Sequence, residues 1–250
     1  MIRLFVNKKE VDDKSVAINQ EQFHYLVNVL RVKSKTLLDL VIDQKINRVI
    51  EVKEINSEKI LYNLVTEEEL IVGCYPKLIL VQCLPKQDKF SDILKKCTEV
   101  GVDSFIPIIS SRTVPVIDTK AQKNKLSRWE RILESAAAQS KRNKIPALYP
   151  IMTIASFIKW NDLIHPDFGL KLVFWEEETE DALKKVLKAT DLSKINNIIL
   201  FIGPEGGLSK AEVANLKKAG FLSVSLGQTI LRVENAGFAA AANTLYELGG

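Results

Sequence analysis

The sequence has few of the side chains from which metal sites and disulfides are built. Its 250 residues include three cysteines and two histidines. Cys74, Cys83 and Cys97 form no Cys-X-X-Cys pair and lie in apolar settings, which predicts reduced structural thiols. The two histidines, His24 and His165, leave too few ligands for a zinc site and little from which to build a Ser-His-Asp triad. We therefore expect no metal.

Long apolar runs, internal repeats and low-complexity segments are also absent. A membrane helix needs about 20 predominantly apolar residues, and no run in the sequence approaches that length. The opening MIRLFVNKKE becomes charged too early to hold the apolar region of a signal peptide. We therefore expect a cytoplasmic protein with no membrane partner. The hydrophobic content of 46% is enough for the core of one large domain or two ordinary ones.

Positive charge is concentrated in one segment. The whole chain carries a net +4, whereas residues 119–145 alone hold eight Lys or Arg and two Glu. Helical spacing predicts a helix from Arg128 to about Arg142, opened by a capping box of Ser127 and Glu130. The polar residues close together on one side of it are Arg128, Arg131, Ser135, Gln139 and Arg142. Such a stripe suits a polyanion, although it also fits a solvated basic face.

The first part of the chain is rich in short strands. Residues 3–65 contain several apolar or alternating runs, which predict a small barrel or sandwich, interrupted by one helix from Gln20 to Leu30. Arg31 and Lys33 follow this helix, where they either complement its carboxyl end or contact nucleic acid. The acidic segment 66–76 is where we expect a domain boundary.

From Lys77 onward the pattern becomes α/β. The run Lys77–Pro85 predicts a strand buried on both faces, followed by an amphipathic helix that ends at Gly101 and by a strand at Ser104–Ile109. Strand, helix and strand in succession favour a parallel sheet. Further along, the predicted elements are strands at Leu170–Trp175 and Asn197–Ile202, and helices at Glu180–Ala189 and Glu234–Leu248.

A glycine loop, Gly203–Gly207, follows the strand at Asn197–Ile202. It precedes a helix opened by a capping box of Ser209 and Glu212. The loop lacks the lysine of a P-loop and the spacing of a dinucleotide fingerprint, and alone it fits a tight turn. A second glycine turn comes at Gly227. Because ligands of parallel sheets bind at the carboxyl ends of strands, we expect the two turns to share a small-molecule pocket with Glu176 and Arg232.

Several segments together resemble one known family. IGPEGGLS, LGQTILRVENA, HYLVNVLRVK, CLPKQDKF with KKCTEVGV, SSRTV, and RW with AAAQSKRNKIP are similar to segments of the RsmE-type ribosomal RNA uridine-N3 methyltransferases of the SPOUT class. The resemblance implies a PUA-like RNA-binding β-barrel over 1–70 and a SPOUT α/β domain over 77–250, with a parallel sheet and a trefoil knot. It further implies S-adenosyl-L-methionine as cofactor, a homodimer, and 16S rRNA or the assembled small ribosomal subunit as substrate.

The sequence departs from the family pattern at a few positions. Tyr25 stands where a second histidine is usual, and Leu208 where phenylalanine is usual. Thr229, Val233 and Asn235 replace an arginine and two threonines in the last motif. Cofactor contacts made by the backbone would survive these changes.

The resemblance and the pattern together nominate site residues. The cofactor-binding set is Glu176, Gly203, Glu205, Gly206, Gly207, Leu226, Gly227, Ile230 and Leu231. Arg112 and Arg232 are the candidate cations for charge that develops on the uracil oxygens, and Glu205 or Glu234 the candidate proton acceptor. The RNA-binding set is Arg31, Lys33, Lys86, Arg128, Arg131, Gln139 and Arg142.

Two other functions remain open at this point. One is a non-catalytic RNA-binding or ribosome assembly factor that has kept the fold, for which the altered last motif is the support. The other is a methyltransferase of the same class that acts on tRNA.

Overall fold

The structure is a computed structural model that describes residues 1–70, 76–113, 119–164 and 169–249, with backbone alone for 119–121 and 162–164. It divides into two compact units. The first comprises Met1–Gly73 with Ala137–Ile145, and the second Cys74–Ala136 with Pro146–Gly250.

The first unit is built on a five-stranded sheet. Its strands are β1 (Ile2–Val6), β2 (Ser15–Ala17), β3 (Leu37–Ile42), β4 (Ile46–Ile55) and β5 (Lys59–Glu69). They follow the order β1-β3-β4-β5-β2, with β1 parallel to β3 and the other pairs antiparallel. Two irregularities in the β4–β5 register bend this sheet, which confirms the predicted barrel as a curled half-barrel. β5 also runs further into the acidic segment than expected, because Thr66 to Glu69 still pair with β4.

The predicted helix of the first unit consists of an α-helical part followed by a π-helical part. α1 (Gln20–His24) begins at Asn19, whose side chain accepts a hydrogen bond from the Gln22 backbone N–H, and it continues as a π-helical turn, Tyr25–Val29. The Leu30 N–H donates to the Tyr25 carbonyl at 2.9 Å, which is the wider spacing of a π-helix.

Arg3 holds residues 141–143 within the first unit. This β1 side chain pairs with Asp39 of β3 at 2.7 Å, and both side chains are more than 90% buried. Its Nη1 donates to the carbonyl oxygens of Lys141 (2.5 Å) and Arg142 (2.8 Å) and to Asn143 Oδ1 (3.0 Å). Because those carbonyls follow the end of a helix, the guanidinium supplies donors that the helix end lacks.

The second unit contains a parallel sheet of seven strands. They are β6 (Lys77–Cys83), β7 (Ser104–Ile109), β8 (Ala147–Leu148), β9 (Met152–Thr153), β10 (Leu170–Phe174), β11 (Asn197–Ile202) and β12 (Leu222–Val224). The order is β12-β10-β11-β6-β7-β8, with β9 also on β7, and every pairing is parallel. The predicted α/β class with a parallel sheet is confirmed. β11 lies between β10 and β6, and its residues Ile198 to Ile202 are buried on both faces.

The helices that cover this sheet agree with the sequence in part. They are α2 (Lys89–Val100), α3 (Thr119–Gln139), α4 (Ile154–Ile164), α5 (Leu183–Ala189), α6 (Lys210–Lys218) and α7 (Val233–Glu247). Gly101 ends α2 with a φ of 121°, as predicted. α4 was not predicted.

Two predicted helix starts are wrong. α3 begins at Thr119, so Ser127 lies inside the helix; good helix formers precede it, with no glycine or proline to stop propagation. α3 also ends at Gln139 rather than near Arg142. α5 begins at Leu183 instead of Glu180, because Ser225 exchanges backbone hydrogen bonds with Asp181 and Leu183.

The two described cysteines are free and buried, as expected of structural thiols. Burial raises the pKa of the Cys97 thiol to about 12, and it also raises that of Cys83, so neither is a thiolate near neutral pH. Cys74 and His165 lie outside the described residues. Within the described ranges, no helix has the length and apolar character to cross a bilayer, and no group of three His, Cys, Asp or Glu is arranged to hold a metal ion.

Candidate active site

The glycine loop occupies the carboxyl end of β11. Gly203 to Gly207 turn the chain from this strand toward α6, and the Gly207 N–H donates to the Pro204 carbonyl at 2.9 Å. The predicted capping box is confirmed: Glu212 Oε2 accepts from the Ser209 N–H at 2.8 Å, and the Glu212 N–H donates back to Ser209 Oγ at 3.3 Å. Gly207 has a φ of 67°, which favours glycine.

A cavity of about 640 Å³ opens at the carboxyl ends of β10, β11 and β12. Its lining comprises Lys89, Phe174–Glu176, Ile202–Gly207, Ser225–Glu234 and Ala236. All nine predicted cofactor-binding residues are in this lining, as are Arg232 and Glu234. The structure therefore brings both glycine turns and Glu176 to one pocket, whose volume is in the range of small-molecule sites.

Glu176 packs against the glycine loop. A Cβ added to Gly207 would lie 1.9 Å from Glu176 Oε1. The same construction at Gly206 meets only Arg112 side-chain carbons at 3.6 Å, which is an ordinary contact. A Cβ at Gly207 would therefore displace the Glu176 carboxylate and strain the backbone, whereas a Cβ at Gly206 fits beside Arg112.

Three charged side chains from separate elements meet at the pocket. Lys89 Nζ, at the start of α2, lies 3.3 Å from Glu205 Oε1 and 3.5 Å from Glu234 Oε2. Glu205 also accepts from the Lys86 backbone N–H, with its oxygens at 3.0 and 3.2 Å. We call Lys89, Glu205 and Glu234 the charge cluster. Lys89 was not among the residues predicted from the sequence; its place in CLPKQDKF was the available signal.

Glu234 is a poor proton acceptor in this arrangement. A hydrogen bond from its own backbone N–H is the main cause that lowers the pKa of the carboxyl; burial opposes it, but Lys89 and Arg232 add to the lowering, so the net shift is downward. The geometry favours a Glu234 that stays ionised and orients Lys89.

The two candidate arginines have different surroundings. Arg112 Nη1 donates to the Gly206 carbonyl at 2.6 Å, so this side chain holds the outside of the glycine loop. Arg112 is not among the residues of the cavity lining. Arg232 lines the cavity, is exposed, and immediately precedes α7.

Two further polar side chains, the half-buried Glu212 and the buried Gln82, hold the loop in place. Glu212 Oε1 accepts from the Ser111 N–H at 2.7 Å, so one carboxylate ties the start of α6 to the segment after β7. Burial would raise the pKa of Glu212, but hydrogen bonds from Ser111 and Ser209 outweigh it and lower the pKa. Gln82 of β6 is fully buried and donates to the Gly203 carbonyl at 3.3 Å.

The predicted RNA-binding residues are divided between the two units. Arg31, Lys33, Gln139 and Arg142 belong to the first unit, and Lys86, Arg128 and Arg131 to the second. All except the half-buried Arg142 are exposed. Arg128 forms an ion pair with Asp88. Arg142 lies beyond the end of α3, so it does not continue the helical stripe.

Comparison with known proteins places this geometry in a class. Residues 74–245 match the RNA methyltransferase domain family. The ribosomal RNA small subunit methyltransferase E of Bacillus subtilis is 30% identical, covering 99% of this chain and 97% of the relative. The protein of that name from Synechocystis is also 30% identical, covering 98% and 78%. A crystal structure of ribosomal RNA small subunit methyltransferase E from Neisseria gonorrhoeae, bound to S-adenosyl methionine, superposes with a TM-score of 0.82 at 25% identity, covering 98% and 97%.

The second unit is thus of the RNA methyltransferase class, with its cavity at the strand ends of an all-parallel sheet. Similarity over nearly the whole chain narrows this further. The chain belongs to the ribosomal RNA small subunit methyltransferase E family, which confirms the resemblance seen in the sequence.

Proposed function

We propose that this protein is an S-adenosyl-L-methionine-dependent methyltransferase of 16S rRNA in the small ribosomal subunit. The observation that carries the proposal is the convergence of both glycine turns, Glu176 and the charge cluster on one cavity. The relatives' names and the cofactor in the Neisseria structure support it. An rRNA substrate also supports action in the cytoplasm.

The cavity suits adenosine and a sulfonium better than a phosphate. Exposed backbone at Gly203, Gly206 and Gly227 offers donors and acceptors to a base and ribose, and Phe174, Ile230 and Leu231 provide apolar surface. Two of the three charge-cluster side chains are carboxylates, which favour a cation nearby.

We propose uracil N3 as the methyl acceptor, as the family resemblance implies. Methyl transfer from sulfur needs the nucleophile, the methyl carbon and the sulfur in line, so positioning supplies much of the rate. An imino nitrogen inside a base pair is inaccessible, so the target uridine is unpaired or turned out of its helix.

We propose that Arg31, Lys33, Lys86, Arg128, Arg131, Gln139 and Arg142 contact the RNA. Residues 22–38 contain Arg31, Lys33 and Lys35 and no acidic residue, so positive charge is concentrated after the π-helical turn. Phosphate contacts of this kind position RNA, while its folded shape provides recognition.

We further propose a homodimer that uses α7 and the segment before it. Ile230 is 86% exposed, Tyr246 78%, and Phe238 37%. Ile230 lines the cavity, and large exposed apolar side chains on one helix and the segment before it are typical of a protein interface. Light scattering should give twice the chain mass for the wild type and a smaller mass for the Ile230→Asp/Phe238→Asp double variant.

The function is tested by transfer of labelled methyl groups. The protein is incubated with labelled S-adenosylmethionine and either bare 16S rRNA, small subunits, or tRNA, and the modified nucleoside is identified by mass spectrometry. We expect N3-methyluridine in one of the first two substrates. Label in tRNA alone, or in none of the three, would contradict the proposal.

Gly206→Val provides the matched inactive variant. Gly206 lines the cavity, and an added Cβ meets only Arg112 side-chain carbons at 3.6 Å, so the variant should fold normally. The added bulk at this cavity-lining position should abolish cofactor binding in a calorimetric titration. Normal S-adenosylmethionine affinity in this variant would contradict the proposal that this cavity binds the cofactor.

A further inference from the structure

Uracil methylation at N3 creates a need for positive charge in the cavity. When N3 loses its proton, negative charge spreads over N3 and the two neighbouring carbonyl oxygens. A fixed cation beside these atoms stabilises that charge, and such preorganised groups are usually the largest contribution to a rate.

Within the described ranges, one cation is both part of the cavity lining and fixed in position. Lys89 lines the cavity, its side chain is 33% exposed, and two carboxylates hold it at 3.3 and 3.5 Å. The Arg112 guanidinium donates its hydrogen bond to the Gly206 carbonyl, and Arg112 does not line the cavity. Arg232 also lines the cavity, but it is exposed.

We propose that the Lys89 ammonium, held between Glu205 and Glu234, is the catalytic cation that stabilises the ionised uracil ring during methyl transfer. The proposal rests on the function proposed above and names a residue for the site. Glu205 and Glu234 act as positioning residues, since each pairs with Lys89.

The step needs no reagent beyond the methyl donor, the uridine and a base from the solvent. The N3–H bond breaks and its proton passes to a base in the solvent, hydroxide or the buffer anion, because the lowered pKa of Glu234 makes that carboxylate a weak acceptor. The electron pair left on N3 attacks the methyl carbon. The carbon–sulfur bond breaks, its electron pair stays on sulfur, and a neutral thioether remains with the N3-methylated base.

A cation in this role makes the N3–H group of the bound uracil more acidic. Below the pKa of that imide, the rate follows the small fraction that is ionised, and Lys89 increases the fraction. The charged groups around Lys89 are Glu205 from the glycine loop and Glu234 with Arg232 at α7, while Glu176 lines the same cavity. These are constant across the variants below.

The test compares Lys89→Met, Lys89→Arg and the control Lys95→Met, an exposed lysine of the same helix. Single-turnover rates with saturating S-adenosylmethionine and the rRNA substrate are measured from pH 6.5 to 9.5, and cofactor affinity by calorimetry. For Lys89→Met we expect a rate about 100-fold lower at pH 7, a loss that shrinks as the pH rises, and cofactor affinity within threefold of wild type. Lys89→Arg should recover most of the rate, and Lys95→Met should match wild type.

Three results would overturn the proposal. The first is a loss of rate in Lys89→Met that is equal at every pH. The second is a parallel loss of cofactor affinity in that variant, and the third is a Lys89→Arg variant whose rate does not recover. Each would indicate that Lys89 only holds the local structure together. Lys89→Gln replaces Lys89→Met if thermal unfolding shows that the latter is not folded. A wild type that binds cofactor and methylates no RNA would instead refute the proposed function and this proposal with it.

Discussion

The contact between Gly207 and Glu176 makes a sharp prediction about Gly207→Ala. The new Cβ would lie 1.9 Å from Glu176 Oε1 and 2.8 Å from its Cδ, so the carboxylate must move. In addition, the φ of 67° disfavours alanine. We expect a loss of stability together with weaker cofactor binding, because Glu176 lines the cavity.

The magnitude follows from three contributions. A left-handed backbone costs a residue with a Cβ roughly 1–2 kcal/mol, and reduced freedom of the unfolded chain returns roughly 0.4–1 kcal/mol. Forcing Glu176 from its rotamer adds roughly 0.5–1.5 kcal/mol. The free energy of unfolding should therefore fall by about 0.5–3 kcal/mol.

Gly220→Ala is the matched control for the backbone contribution. Gly220 has a φ of 85°, and nothing lies within 4 Å of its added Cβ. The assay is urea unfolding followed by tryptophan fluorescence, since all three tryptophans, Trp129, Trp160 and Trp175, belong to the second unit. Gly207→Ala should cost more than Gly220→Ala, and the excess should vanish when Glu176 is also alanine. An excess that persists in the Glu176→Ala background would refute the steric reasoning.

Three further predictions test other contacts. Glu212→Gln should reduce the acid sensitivity of the fold. Because the pKa of Glu212 is lowered in the folded state, its stabilisation is present above the unfolded-state pKa and is lost as the pH falls through the folded-state value. The free energies of unfolding of variant and wild type should therefore converge as the pH falls from 6 to 3. Arg3→Met should destabilise the first unit by about 3–5 kcal/mol by circular dichroism, because Asp39 is left charged and buried; the Arg3→Met/Asp39→Leu double variant should recover most of this, and no recovery would contradict the assignment. Arg142→Ala should lower the slope of log affinity for rRNA against log salt by about 0.7–0.9, whereas Lys188→Ala, an exposed lysine of α5, should leave it unchanged; equal slopes for both would remove Arg142 from the RNA surface.

The sequence predicted the cavity better than the helices because the cavity depends on local rules. A strand end, a glycine turn and a capping box are each encoded within a few residues, so Asn197–Ile202, Gly203–Gly207 and the Ser209–Glu212 box agree with the structure. The same capping motif failed at Ser127, since a preceding run of good helix formers continues the helix through it.

What the sequence could not predict depends on contacts between distant segments. Lys89, Glu205 and Glu234 meet because β11 lies beside β6 and α7 returns to α2, and no local pattern reports such a meeting. The two-residue strands β8 and β9 are likewise held by pairing with β7 rather than by their own pattern. The trefoil knot stays a prediction.

The position of β11 has a consequence for the order in which the second unit is made. The strand that fills the centre of the sheet begins at Asn197, whereas its neighbour β6 begins 120 residues earlier, at Lys77. A ribosome releases β6 to β9 long before the strand that joins them to β10, so until β11 emerges the nascent chain holds an incomplete sheet and an unpaired β10. Arg232 and Glu234 emerge later still. We therefore expect slow folding, with the cavity among the last features of the second unit to form.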